Sequence, residues 1–445
     1  MMLRRRFLFS KKATAEAMPT NEIWYTTTDE KALSSSTNST FEDDALSSNS
    51  YMSGIGKLVY LNEVTEIKNS MFRKCTTLET MTLPVSVTTI SSYAYNGCVA
   101  LDNVTIPNSV TSIGNEAFSG CTAMTNIEVP NSVKTLGNYI FLNCTSLRSI
   151  TIPSSVTQIG NEAFSGCSAL SGVRISDLAA WSKITFTGYR SNPLYYAGNL
   201  YLNNELVTSL AIPEGITSIL KYAFRACTSM TSATLPSSLT SISDYGFMAC
   251  SNLKSIVIPD GVTSIGGSAF ENCTSMSEVT IGSGCTSISS NSFKSCTALA
   301  KIYSRATTPP LVQSNTFESV PTSCVVYVPS ASVSAYQSAS YWSNFTIQSE
   351  EQNSGAIRLY YDYCENFGLT AICYRAADDT TIELYNRLKD IINTHGNPIN
   401  PMDFGLELYI EDGLITSALD EISYIYLSGG DYGVLHSNGR LTKES

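Results

Sequence analysis

Histidine is nearly absent from this chain: only His395 and His436 occur in 445 residues. Neither stands beside a cysteine or in H-x-x-x-H spacing, and no glycine-rich phosphate loop precedes a helix, so the usual starting points for zinc, triad and nucleotide chemistry are missing. Charge is scarce as well. Only 15% of residues are charged against 43% hydrophobic, which describes a folded chain whose surface is covered by Ser, Thr and Asn instead of ion pairs. No apolar run reaches the roughly 18 residues of a membrane-spanning helix. The basic start, Arg4, Arg5, Arg6, Lys11 and Lys12, encloses only Phe7-Leu8-Phe9, whereas a secretory signal needs an apolar stretch of about 7 to 15 residues. A chain working outside the cell would therefore need another route there.

Negative charge is unevenly placed. Residues 350–445 hold 16 Asp or Glu and 6 Lys or Arg, a net of −10; the remaining 22 acids and 21 bases net −1, which together give the −11 of the whole chain. A dense polyanion would be repelled by the acidic end and would find no basic stripe elsewhere, which excludes nucleic acid as the expected partner.

What the chain does have is a period. A cysteine returns every 23 residues at Cys75, Cys98, Cys121, Cys144 and Cys167, and again at Cys227, Cys250, Cys273 and Cys296. The segment from Leu101 (LDNVTIPNSVTSIGNEAFSGC) recurs from Leu147 and from Leu253. A fixed period of this length implies one stacked architecture. Within a unit, Leu101, Val104 and Ile106 read as a short strand ended by Pro107, which supplies no donor for further pairing. Val110 and Ile113 read as a second strand. Gly114 and Asn115 then turn the chain into a helical or 3₁₀ turn with Ala117, Phe118 and Cys121 facing inward. No coil stands alone, because burying its few apolar side chains at roughly 1.5 to 3 kcal/mol each does not offset about 1 to 2 kcal/mol of ordering per residue. Stacking must supply the difference. The cysteines then form a row about 4.8 Å apart, where each has two equal neighbours. A pairing would break that symmetry, so a reduced, buried packing ladder is expected in preference to disulfides or metal.

The pattern I-P-x-S-V-T-S-I-G-x-x-A-F-x-x-C-T-x-L resembles the BspA-like leucine-rich repeats of bacterial and protist surface proteins, from about Ser53 to Ile347. The resemblance implies a leucine-rich repeat solenoid of stacked 23-residue coils with a parallel β-sheet, and a role in adhesion to host or matrix proteins. The 60-residue gap between Cys167 and Cys227 is similar to an enlarged repeat of that family, near residues 176–212. Val325 to Ile347 resembles its closing unit, with Tyr336, Tyr341, Trp342 and Phe345 plugging the core. The segment from Asn21 is similar to leader segments of such proteins from gut Bacteroidales and their phages. The organisation expected is a basic tail (1–20), a leader or cap (21–52), the solenoid (53–347), a linker (348–354) and an acidic domain (355–445).

Alternation places a flat polar ladder on the outside of the strands, including Glu79, Thr80 and Thr82; Asp102, Asn103 and Thr105; Thr125, Asn126 and Glu128; Arg148, Ser149 and Thr151. It serves either as a solvated sheet face or as a broad docking face. The enlarged repeat concentrates Trp181, Tyr189, Tyr195, Tyr196 and Tyr201 beside Asn192 and Asn199. These residues either hold a sugar or peptide or cover the bulge's own small core.

The acidic end reads as a small α+β domain. Strand-like runs occur at 356–363, 369–375, 406–410 and 422–427, with an amphipathic helix over 380–394. It is expected to attach or oligomerise the chain. The expectation is thus a non-enzymatic binding or adhesion protein, without cofactor or metal, that meets a protein or glycan on a cell surface. The alternatives are a bacteriophage fibre or decoration protein, and an intracellular scaffold or an enzyme in the C-terminal domain.

Overall fold

The computed structural model describes residues 18–34, 41 and 45–350, together with the backbone of six short strands beyond them. The chain divides into two compact units, Met1–Ile347 and Gln348–Ser445.

The first unit is a leucine-rich repeat solenoid. Each coil contributes to a front sheet, with strands such as Asn103–Thr105 and Ser149–Thr151, and to a back sheet of two-residue strands such as Ser112–Ile113 and Gln158–Ile159. Pairing is parallel and in register with the repeat, so that Thr80 faces Asn103, Ile90 faces Ile113 and Ser255 faces Glu278. Val104, Val110 and Ile113 are buried where the spacing predicts.

The Ala-Phe-x-x-Cys segment forms a third ladder, and here the structure departs from the expected helical or 3₁₀ turn. Glu116 (φ 54°) and Gly120 (φ 74°) are both left-handed. The N–H groups of Glu116, Phe118 and Gly120 therefore donate to the carbonyls of Asn138, Ile140 and Leu142 in the next coil, at 2.9, 3.0 and 2.7 Å. A helix would consume those donors internally and leave the stacked neighbour's carbonyls without partners, which is costly for buried backbone. The glycine after some back strands, as at Gly114, Gly137, Gly160 and Gly266, answers a different demand. A Cβ at Gly137 would lie 2.7 Å from the Gly114 backbone, so this close approach between the two coils needs glycine.

Two side-chain columns run through the core. Phe72, Tyr95, Phe118, Phe141 and Phe164 stack at 5.2 to 5.8 Å between centroids, and Phe224, Phe247, Phe270, Phe293 and Phe317 do so at 5.3 to 5.8 Å. Beside them runs the cysteine ladder. From Cys98 to Cys167 and from Cys250 to Cys296 each thiol donates to the carbonyl of the aromatic residue 26 positions earlier, such as Cys121 to Tyr95 at 3.3 Å, Cys144 to Phe118 at 3.1 Å and Cys250 to Phe224 at 3.2 Å, whereas Cys227 meets the Ser229 hydroxyl. The small polar hydrogen explains why cysteine fills the slot, since alanine would leave that carbonyl without this contact. The eleven described cysteines are buried. Burial pushes the Cys167 and Cys296 thiols up to about 12 and the Cys227 thiol up to about 11. Cys364 and the Cys373 side chain lie outside the described residues.

The ends of the solenoid are closed differently. At the start, strands Leu46–Met52, Ile55–Tyr60 and Glu22–Thr27 form an antiparallel cap whose last member pairs with Leu78–Thr82, and Phe41 extends the aromatic column over Phe72 at 5.6 Å. At the other end Tyr336 and Trp342 are buried, the Trp342 indole donating to the Pro310 carbonyl at 2.9 Å, and Phe345 meets Phe317 edge-on. Tyr341 does not join the plug: it is exposed, and its left-handed backbone (φ 68°) turns the chain into the following 3₁₀ segment.

In the second unit, strands Arg358–Tyr361, Cys373–Arg375 and Leu406–Tyr409 form one antiparallel sheet, and Ile425–Leu427, Asp431–Leu435 and Leu441–Glu444 form another. The last two strands were not anticipated by the sequence pattern. The expected helix over 380–394, with His395 and His436, lies outside the described residues.

Candidate binding surface

The outward positions of the front sheet line up across coils because the register is strict. One row runs from Trp24 in the cap through Thr82 and Thr105, and another stretch from Thr151 through Arg174 to Tyr201. Between them Thr125, Asn126 and Glu128 stay exposed although their coil has no assigned front strand. The ladder is polar, as alternation predicts, yet it is not free of anchors. Lys57 lies 4.8 Å over the Trp24 ring and pairs with Glu22 at 3.3 Å, and Arg174 lies 4.7 Å over Tyr201. In the second stack of coils Val257 is exposed, Thr280 is buried, and Tyr303 stacks on Tyr327 at 4.9 Å. Trp24 and Tyr303 were missed as anchors, although Tyr303 occupies the slot two residues along each strand that Thr280 fills elsewhere; Tyr327, in the same slot of the next strand, is buried.

The enlarged coil interrupts this face. Asn203 (φ 51°) and Asn204 (φ 70°) make a tight turn after Leu200–Leu202, and the chain folds back antiparallel with Tyr201 opposite Leu206. Two consecutive left-handed residues suit Asn and match the twist of a two-residue hairpin. The parallel front sheet stops there and begins again at Ser209–Ala211.

Of the residues expected to form a ligand site, two are structural. In ordinary coils the carbonyl of the Ala before the core aromatic accepts from the preceding coil, as Ala94 does from Phe72 and Ala117 from Tyr95, both at 2.8 Å. The enlarged coil supplies other donors to Ala223: the Trp181 indole at 3.1 Å and the Asn192 amide at 3.0 Å. Asn192 also donates to the Tyr222 carbonyl at 2.8 Å and accepts from the Leu194 N–H at 2.9 Å. Both side chains are buried and spent on replacing lost ladder bonds, which removes them from any exposed site. Asn199 is similarly engaged, donating to the Ser171 carbonyl at 3.0 Å.

The tyrosines separate into two places. Tyr201 belongs to the front sheet. Tyr189, Tyr195 and Tyr196 instead cluster with edge-on contacts of 5.8 and 4.8 Å, beside the turn of the following coil. Arg225 from that turn lies 4.7 Å from the Tyr189 ring and 4.3 Å from the Tyr195 ring, and donates to the Tyr189 carbonyl. Burial pulls its guanidinium below the usual arginine range. Arg225 was not singled out from sequence, because the 23-residue frame treats it as a variable turn residue. Among the described residues no three His, Cys, Asp or Glu side chains stand close enough to hold a metal, and no helix is long and apolar enough to cross a membrane.

Comparison with known proteins bears on this architecture. The chain is similar to solved leucine-rich repeat proteins from Bacteroides ovatus (23% identity, over 67% of this chain and 90% of that one, TM-score 0.33) and Treponema pallidum (24%, 48% and 72%, TM-score 0.27). It is also similar to the pneumococcal vaccine antigen PcpA (18%, 65% and 85%, TM-score 0.39). No curated protein sequence matches it. The family described as BspA type leucine rich repeat region matches residues 39–180 and 198–323 in six copies. With more than half its length matched, the chain belongs to the BspA-type leucine-rich repeat family.

Proposed function

We propose that this chain is a non-enzymatic binding protein that adheres to a protein or glycan surface outside the cell through the front sheet of its solenoid. The observation that carries this reading is a pair of register-locked front-sheet stretches, one through Thr82 and Thr105 and one from Thr151, that end in cation-covered aromatics, Trp24 with Lys57 and Tyr201 with Arg174. A rigid, flat sheet loses little conformational freedom on docking, and Trp, Tyr and Arg are the residue types on which interface energy concentrates. A catalytic reading has less support. The described thiols are buried and held protonated, and a thiol in that state is a poor nucleophile.

The test is adhesion of the labelled full chain to host-cell layers and immobilised matrix proteins, against a Thr105→Arg, Thr151→Arg variant. Both positions are exposed, so the bulky charges leave the core intact. Binding should fall about tenfold or more, equivalent to at least 1.4 kcal/mol, with an unchanged unfolding midpoint. Fractionating a producing culture supplies the address. Signal on cell exteriors supports an adhesin, signal on sedimenting particles supports the virion form of the same reading, and signal confined to cytosol rejects it.

A further inference from the structure

We infer that the enlarged coil carries a second contact site, on the Tyr189–Arg190–Arg225 cluster, for a carboxylate of an acidic polysaccharide; this deepens the binding reading by naming a ligand class. One aromatic ring is flanked by two guanidinium groups. Arg225 lies 4.7 Å and Arg190 5.0 Å from the Tyr189 centroid, and the Arg190 Nε–H donates to the Tyr189 hydroxyl at 2.7 Å. Among the described residues neither guanidinium forms an ion pair with a carboxylate. Glu162 attracts Arg190 only from beyond ion-pair distance. The Arg225 side chain is more than nine-tenths buried and its Nε has no hydrogen-bond partner. A bound anion would supply the missing counter-charge and engage the outer donors of Arg190, whose planar fork matches a carboxylate.

The geometry also limits the ligand. Two cations are a spot and not a stripe, so a chain with widely spaced charges fits better than a dense polyanion such as nucleic acid. Tyr189 is the one large apolar side chain exposed in this cluster. The cluster therefore offers phenolic hydroxyls and ring edges but no apolar seat for a peptide anchor. A sugar chain bearing one carboxylate per disaccharide meets both conditions.

The experiment titrates the full chain with a hyaluronan octasaccharide, a neutral N-acetylglucosamine tetramer and an alternating Gly-Glu octapeptide, repeated with Arg190→Gln. Arg190 is only partly buried and its one described hydrogen bond is to its neighbour Tyr189, so its substitution leaves the unfolding midpoint unchanged. Hyaluronan should bind about tenfold more tightly than the neutral sugar, lose about tenfold in R190Q, and weaken between 50 and 200 mM salt as the charge contact is screened. Absence of hyaluronan binding, indifference to R190Q, or tighter binding of the peptide each overturns the proposal. Failure here is separable from failure of the front-sheet reading: adhesion lost in the Thr105→Arg, Thr151→Arg variant while hyaluronan does not bind leaves that reading standing and removes this one.

Discussion

Asn192 shows how a single side chain carries the junction between the two stacks of coils. It sits where the repeat is broken, and its amide donates to two carbonyls while its oxygen accepts one N–H. Removing it leaves buried backbone groups short of partners, which costs about 1 to 3 kcal/mol. Asn192→Ala should lower the denaturant midpoint by that amount, and hydrogen exchange should accelerate first at Leu194 and around Ala223. The same substitution should leave glycan or cell binding unchanged at temperatures where the variant is folded, since Asn192 has no exposed surface. Sequence alone placed Asn192 beside tyrosines and suggested a ligand amide. The tertiary neighbour that decides its role, Ala223, lies 31 residues away, and no local pattern reports that distance.

At the scale of one coil, stability rests on columns and not on the coil's own contacts. Phe118 stacks between Tyr95 at 5.2 Å and Phe141 at 5.8 Å, and its carbonyl accepts from the Cys144 thiol. Phe118→Ser removes both ring contacts and opens a cavity, a loss of about 3 to 5 kcal/mol by analogy with Phe→Ala. Limited proteolysis should then cut within the coils adjoining residue 118 before the second stack is attacked. Asn103→Ser, on the exposed front face of the same coil, should change neither the midpoint nor the cleavage pattern. The inward and outward assignments within a strand were legible because alternation has a period of two and needs no tertiary information. The turn after Gly114 was not. Its Ala-x-x-x-Cys spacing satisfies a helix and the observed left-handed alternation equally, and only the carbonyls of a stacked neighbour favour the second.

Over the whole molecule the buried thiols add up to a pH dependence. Desolvation raises Cys167 and Cys296 from 9.0 to about 12, and it raises Cys121 and Cys250 well above 9.0 too, with neighbouring thiols adding to the effect. Between pH 9 and these raised values the unfolded chain releases thiol protons that the folded chain keeps. The folded state then binds more protons, and stability falls as pH rises. Their contribution is present in full below about pH 9, and each thiol removes about 1.4 kcal/mol per pH unit above it. The denaturant midpoint should therefore be flat from pH 7 to 8.5 and drop steeply by pH 10.5. A Cys121→Ala, Cys144→Ala variant should start lower but fall less steeply. A midpoint that does not move in this range would mean the ladder is not buried as protonated thiols.

The period of 23, the buried Val, Ile, Phe and Cys positions and the polar front face were determined by the sequence itself, because each follows from a pattern that repeats at fixed spacing and must satisfy the same neighbour every time. What occupies the outside of the enlarged coil was decided only by the tertiary structure. There the repeat fails, so Trp181 and Asn192 turn inward to replace missing backbone donors, Tyr201 joins the front sheet, and Arg225 arrives from the next coil to meet Tyr189. Regular stacking makes one coil predict the next; at the enlarged coil, where the repeat is interrupted, long-range hydrogen bonds and cation contacts set each side chain's role.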